Sequence, residues 1–70
     1  MTPTTGNRFR SEISRSERIV VDVSYFQGLV TYRIHPINAG ERRRLERCTL
    51  RRWARWCEVN KVKEVGNGRR

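Results

Sequence analysis

Carboxylates are scarce in this 70-residue chain: 7 Asp and Glu face 16 Lys and Arg, leaving a formal charge of +9, and most of the cations are arginine. An excess of this size points toward a polyanionic partner, whether DNA, RNA or an acidic protein surface. The plain alternative is an arginine-rich genome and a well-solvated surface. Histidine occurs once and cysteine twice, too few for a zinc site with His/Cys ligand spacing. Read on one helix, Cys48 and Cys57 lie about 13 Å apart along its axis, which excludes a bridge between them. Long apolar runs are also missing. Nothing approaches the ~18 residues of a membrane span, and the N-terminus lacks the apolar stretch of a signal peptide. A reducing cytoplasm is the compartment this predicts, with no membrane partner.

Catalytic groups are equally thin. His35 stands beside Pro36 at a strand end and reads as a surface residue. The sequence offers no glycine-rich phosphate loop and no pair of acids facing a cleft. The two cysteines lie near arginines, which lower a thiol pKa, but a small apolar role on a helix accounts for them better. A non-enzymatic protein with no cofactor, metal or small-molecule substrate is expected.

What is present is a long amphipathic stretch. From Ala39 to Val65, Leu45, Thr49, Trp53, Trp56 and Asn60 repeat at helical spacing, and Cys48, Leu50, Cys57 and Val59 widen that flank. Arg44, Arg47, Arg51 and Arg55 recur at steps of three and four, which on a helix makes a basic stripe on the other side. Asn38 supplies an N-cap with Glu41 three residues on, and Gly66 and Gly68 supply a stop after Lys61 and Lys63.

Ahead of it, Ile19 to His35 alternates as a hairpin. With a two-residue loop at Gln27-Gly28, Tyr25 faces Val30, Val23 faces Tyr32 and Val21 faces Ile34 on the apolar side. Asp22 then opposes Arg33, and Ser24 opposes Thr31, on the outer side. Pro36 ends the second strand. The expected fold is therefore α+β: a flexible basic arm over 1–18, a single ββα domain over 19–65 built from the hairpin and one long C-terminal α-helix, and a frayed tail over 66–70. A helix about 40 Å long outreaches an eight-residue strand of about 26 Å. Two strands are also too few for independent stability. A homodimer, joined along the Trp-bearing helices or between hairpin edges, is predicted to supply the missing cover.

Two resemblances bear on function. The run Asn38-Ala39-Gly40-Glu41-Arg42-Arg43-Arg44-Leu45-Glu46-Arg47, followed by Arg51, Arg52, Trp53 and Arg55, resembles the arginine-rich helices of phage antiterminators, which enter an RNA groove and stack an aromatic on a loop base. In size, hairpin-plus-helix order and lack of a catalytic set, most of the chain is similar to early-gene host-takeover proteins of temperate phages. Among these are quorum-sensing anti-activators that bind a LuxR-type regulator and, in some cases, a pilus assembly ATPase. That resemblance implies a regulator that binds and inhibits a host regulatory protein such as a transcriptional activator, in the cytoplasm of the host cell if the chain is phage-encoded. Phe26, Leu29, Trp53 and Trp56 are its expected partner-binding residues, since aromatic anchors dominate interface hot spots; the core of a dimer would use the same groups. The alternative is a nucleic-acid-binding regulator contacting DNA or RNA phosphates through Arg44, Arg47, Arg51 and Arg55. Neither a helix-turn-helix nor a ribbon-helix-helix fits the element order, so such contacts would be to phosphates rather than base edges.

Overall fold

The computed structural model describes residues 2–35 and 45–67. Five strands, β1 (Asn7–Arg10), β2 (Glu17–Ser24), β3 (Leu29–His35), β4 (Leu45–Thr49) and β5 (Lys63–Asn67), make one sheet in the order β4-β3-β2-β1-β5. Every neighbouring pair is antiparallel. One helix among the described residues, α1 (Leu50–Val59), connects the two edge strands and lies on one face of the sheet.

The run Ile19-Val20-Val21 and its neighbour Val23 explain β2, because branched side chains pack well on a pleated surface and lose rotamer freedom in a helix. Its turn into β3 is four residues long, Tyr25 to Gly28, closed by the pair Ser24–Leu29. The Ser24 hydroxyl accepts the Gln27 N–H at 3.2 Å. Gly28 sits at φ 67, the left-handed conformation that a missing Cβ makes inexpensive.

The core gathers Phe9 from β1, Val20 from β2, Val30 and Tyr32 from β3, Trp53 and Cys57 from α1, and Val62. Trp53 is its centre. The Phe9 ring meets the indole edge to face at 5.1 Å, Trp56 lies at 5.2 Å and Tyr32 at 6.0 Å between centroids; such aromatic pairs add about 0.5–1.5 kcal/mol each to the area they bury.

Both ends of α1 are fastened to the sheet. At the N-terminus the Thr49 hydroxyl accepts the Arg52 N–H at 3.1 Å, and the Leu50 N–H donates to the Gly28 carbonyl at 2.9 Å. At the C-terminus Asn60 caps the helix, Lys61 turns through φ 49, and the Val62 N–H returns to the Cys57 carbonyl at 3.0 Å. Buried Ser11 ties this end to the β1–β2 loop: its hydroxyl donates to Asn60 Oδ1 at 3.2 Å and accepts the N–H groups of Ile13 and Ser14 at 3.2 and 3.0 Å.

This architecture overturns the ββα expectation. The helix has ten residues rather than the whole of Ala39–Val65. Leu45–Thr49 pairs with β3 as a strand, and Lys63–Asn67 pairs with β1. The segment expected as a flexible arm supplies β1, an interior strand between β2 and β5, with Phe9 fully buried. Gly66 and Asn67 belong to β5 rather than to a frayed tail.

The hairpin register changes as well. Near the turn Val23 faces Val30 and Asp22 faces Thr31. A bulge at Val21 then shifts the pairing, so Val20 faces Tyr32, Ile19 faces Arg33 and Arg18 faces Ile34. One extra residue reverses which side chains point inward. Val20 takes the core position expected of Val21, and Asp22 loses Arg33 as its partner.

A helix about 15 Å long lies within the reach of the strands, so the length mismatch that required a second copy does not arise. The expected cap at Asn38 and Glu41, together with Pro36, Gly40, Arg44 and Gly68, lies outside the described residues.

Candidate functional site

Helix α1 buries Trp53 and Cys57 against the sheet and half-buries Leu50, Trp56 and Asn60. That placement turns Arg51, Arg52 and Arg55 to solvent on the side away from the sheet. With Trp56, Val59 and Asn60 they line a shallow groove of about 590 Å³. The ion pairs among the described residues join Arg8 and Arg10 to Glu17, at 3.8 and 3.5 Å, and Lys63 to Glu12, at 3.5 Å. The helix arginines take part in none of them.

Their position opposes what helix stability alone selects. The N-terminal end of a helix carries partial positive charge and favours acids, and the C-terminal end favours bases, each by about 0.3–1 kcal/mol. Here the first turn holds Arg51 and Arg52 with no acid, and the last turn has no base while carrying Glu58. Arg52 occupies the third helical position behind the Thr49 cap, where a Glu or Gln would complete a capping box. An anion at this end would reverse the cost, since backbone N–H groups, the helix dipole and guanidinium forks all favour it.

Trp56 is held in the groove wall by Arg18, whose guanidinium carbon lies 4.0 Å from the Trp56 ring centre and 4.4 Å from that of Tyr32. Cation–π contacts of this kind contribute about 0.5–2 kcal/mol. The β2–β3 turn stands beside the same helix end through the Leu50–Gly28 hydrogen bond. At its tip Phe26 is fully exposed and Tyr25 largely so, with the Tyr25 hydroxyl donating to the Pro3 carbonyl at 3.4 Å.

The sequence-predicted residues therefore separate. Arg51 and Arg55 share the helix surface. Arg47 lies on β4 opposite Thr31, on the sheet face away from the helix, so the stripe is split between two sides of the molecule. Of the partner-binding candidates, Phe26 is exposed, Leu29 and Trp56 are half-buried, and Trp53 is in the core with no surface to offer. Arg52 and Arg18 were not singled out by spacing. Had Thr49 been taken as the cap, the run Thr-Leu-Arg-Arg would have shown cations where acids are favoured. No family model, curated protein or solved structure matches this chain.

The remaining reactive groups are two thiols, a phenol and an imidazole. Burial pushes the thiols of Cys48 and Cys57 above their ordinary value, with Arg18 pulling against it, so both are poorer nucleophiles than a free cysteine. Burial likewise raises Tyr32, whose hydroxyl donates to the Glu46 carboxylate at 3.4 Å. His35 is exposed at the end of β3. Among the described residues no three His, Cys, Asp or Glu side chains converge on a point where a metal ion would sit, and no helix is long and apolar enough to cross a membrane.

Proposed function

We propose that this protein is a non-enzymatic regulator that binds nucleic acid, holding phosphates with Arg51 and Arg52 in the first turn of α1 and Arg55 one turn on. The observation that carries this reading is the inverted helix charge: two arginines in a first turn without acids, and no carboxylate paired with them among the described residues. Stability alone would select the opposite arrangement, and sites that break a local rule in this way are where function is concentrated. A phosphate backbone meets the dipole, the exposed N–H groups and the guanidinium forks together. The groove wall of Trp56 adds an aromatic edge beside them.

Fluorescence anisotropy with labelled duplex DNA and single-stranded RNA, titrated with salt from about 50 to 200 mM, tests this reading. Three phosphate contacts give a slope of log affinity on log salt near −2.7 for duplex. Arg51→Glu with Arg55→Glu abolishes most of that slope. Binding that survives the double substitution with its slope intact removes the helix from the contact.

A second reading rests on a separate observation, the complete exposure of Phe26 beside the largely exposed Tyr25. An aromatic that contributes nothing to the core suits a hot-spot anchor on a protein partner, as a phage-type antagonist of a host regulatory protein would need. Under it, a transcriptional activator held by immobilised wild-type protein is lost on Phe26→Ala while the fold is retained. Equal retention by that variant takes the turn out of the interface.

A further inference from the structure

We propose that the protein bridges two nucleic-acid segments, one on the helix arginines and one on the sheet face that the helix leaves uncovered. The inference rests on the nucleic-acid reading for the first surface and adds a second, independent one. Strand register defines it. Arg8, Ile19, Arg33 and Leu45 stand opposite one another in a row across β1, β2, β3 and β4. Adjacent rows place Arg10 opposite Glu17 and Lys63, and Arg47 opposite Thr31. All belong to the face away from Phe9, Val20, Tyr32 and Trp53, because neighbouring residues on a strand alternate sides.

This face carries Arg8, Arg10, Arg33, Arg47 and Lys63 against Glu17 and Asp22, and Glu12 from the β1–β2 loop pairs with Lys63 at its edge. Glu17 is buried and shared by Arg8 and Arg10, so its single charge leaves one of those cations uncompensated. Arg33 and Arg47 are exposed, and neither is ion-paired among the described residues. The occupant this selects is a phosphate backbone. A second copy docking face to face would set Arg33 and Arg47 against their own like charges in a low-dielectric contact.

The two basic surfaces face opposite directions across a molecule whose shorter dimensions are 23 and 21 Å. That exceeds twice the Debye length of about 8 Å at physiological salt, so the surfaces act independently. Duplex DNA bends only over a persistence length of about 150 bp. A short duplex on one face therefore cannot reach around to the other, and filling both faces joins two duplexes.

The test mixes two populations of 20-bp duplex, one labelled with a donor and the other with an acceptor, and reads energy transfer as protein is added at about 50 mM salt. Wild-type protein gives transfer that rises and then falls in excess protein, as each duplex becomes separately coated. Arg51→Glu with Arg55→Glu, and separately Arg33→Glu with Arg47→Glu, each retain duplex binding with a shallower salt slope and lose the transfer. Lys61→Glu reverses one charge at an exposed position in the turn after α1, off both faces, and leaves the transfer intact, whereas the single changes Arg51→Glu and Arg33→Glu each lower it. Circular dichroism confirms that each variant is folded.

Several outcomes overturn the proposal. Wild-type binding without transfer shows one working face, and the helix reading then stands alone. Transfer that survives Arg33→Glu with Arg47→Glu shows that copies paired through another surface do the joining. Loss in the Lys61→Glu control equal to that in Arg51→Glu and Arg33→Glu shows net charge, not placement, to be the cause. If wild-type protein binds no duplex at all, the helix reading fails with it.

Discussion

Arg52→Glu is predicted to make the protein more stable and a poorer ligand for phosphate. Arg52 is exposed and stands three residues after the cap Thr49, whose hydroxyl accepts its N–H at 3.1 Å. The backbone bond survives the change, because only the side chain differs. Removing a cation from the first turn and adding an anion each contribute about 0.3–1 kcal/mol at low ionic strength. The new carboxylate also lies one helical turn from Arg55, an i,i+3 pair adding about 0.2–0.5 kcal/mol. Exposure favours the lower ends of these ranges, so the expected gain is about 1 kcal/mol, or roughly 4–8 °C in Tm for a domain of this size.

Thermal unfolding followed by circular dichroism at about 20 mM and again at about 500 mM salt measures it, and the gain shrinks at high salt because exposed charges are screened. In the anisotropy titration the same variant loses about one unit of salt slope, the share of one phosphate contact. A variant that is less stable than wild type and binds nucleic acid with an unchanged slope would refute the reasoning, since Arg52 would then serve the fold.

Phe9→Ala decides whether residues 1–18 are an arm or part of the sheet: truncating a fully buried ring beside Trp53 costs about 3–5 kcal/mol, enough to unfold most of a chain this small in a urea titration, whereas a mobile arm would show no change. Ser11→Ala removes the hydroxyl joining Asn60 to the N–H groups of Ile13 and Ser14; it costs about 1–3 kcal/mol, and hydrogen exchange speeds up at the C-terminal end of α1. Burial raises Cys48, Cys57 and Tyr32, so each favours its neutral form in the folded state. Their contribution to stability is complete below the ordinary thiol and phenol values and is lost as pH climbs from there through the raised ones. Urea midpoints therefore hold level through neutral pH and fall in the alkaline range; a midpoint rising with pH there would contradict the burial of these groups.

Parts of this structure can be read directly in the residues. The branched and aromatic residues from Ile19 to Tyr25 and the alternation of Val30, Tyr32 and Ile34 identify two antiparallel strands, and Gly28 marks their turn. Trp53 and Cys57, four apart, identify the inward face of a helix. The sequence does not fix the hairpin register, because a two-residue loop satisfies the apolar pattern as well as the observed four-residue loop with a bulge. Shifting the pairing by two residues keeps each side chain on its own face, so periodicity cannot distinguish the two near the turn. The start of the helix is ambiguous in the sequence because Leu45, Cys48 and Thr49 fit a helical stripe as well as they fit a strand. Only pairing with β3, Cys48 opposite Val30 and Glu46 opposite Tyr32, settles which period applies.

The sequence by itself determined the charge, the two central strands and the inward face of the helix, because each depends on residue types and spacings within a short window. The tertiary structure alone decided the rest. Asn7–Arg10 is a strand because β2 and β5 flank it and Trp53 receives Phe9; in isolation its polar residues could not offset the entropy of ordering them. It also divided the arginines between two sides of the sheet. The direction in which Arg47 or Arg51 projects depends on where β4 ends and α1 begins, and that boundary is fixed by hydrogen bonds to residues about twenty positions away, Leu50 to Gly28 and Thr49 beside Leu29.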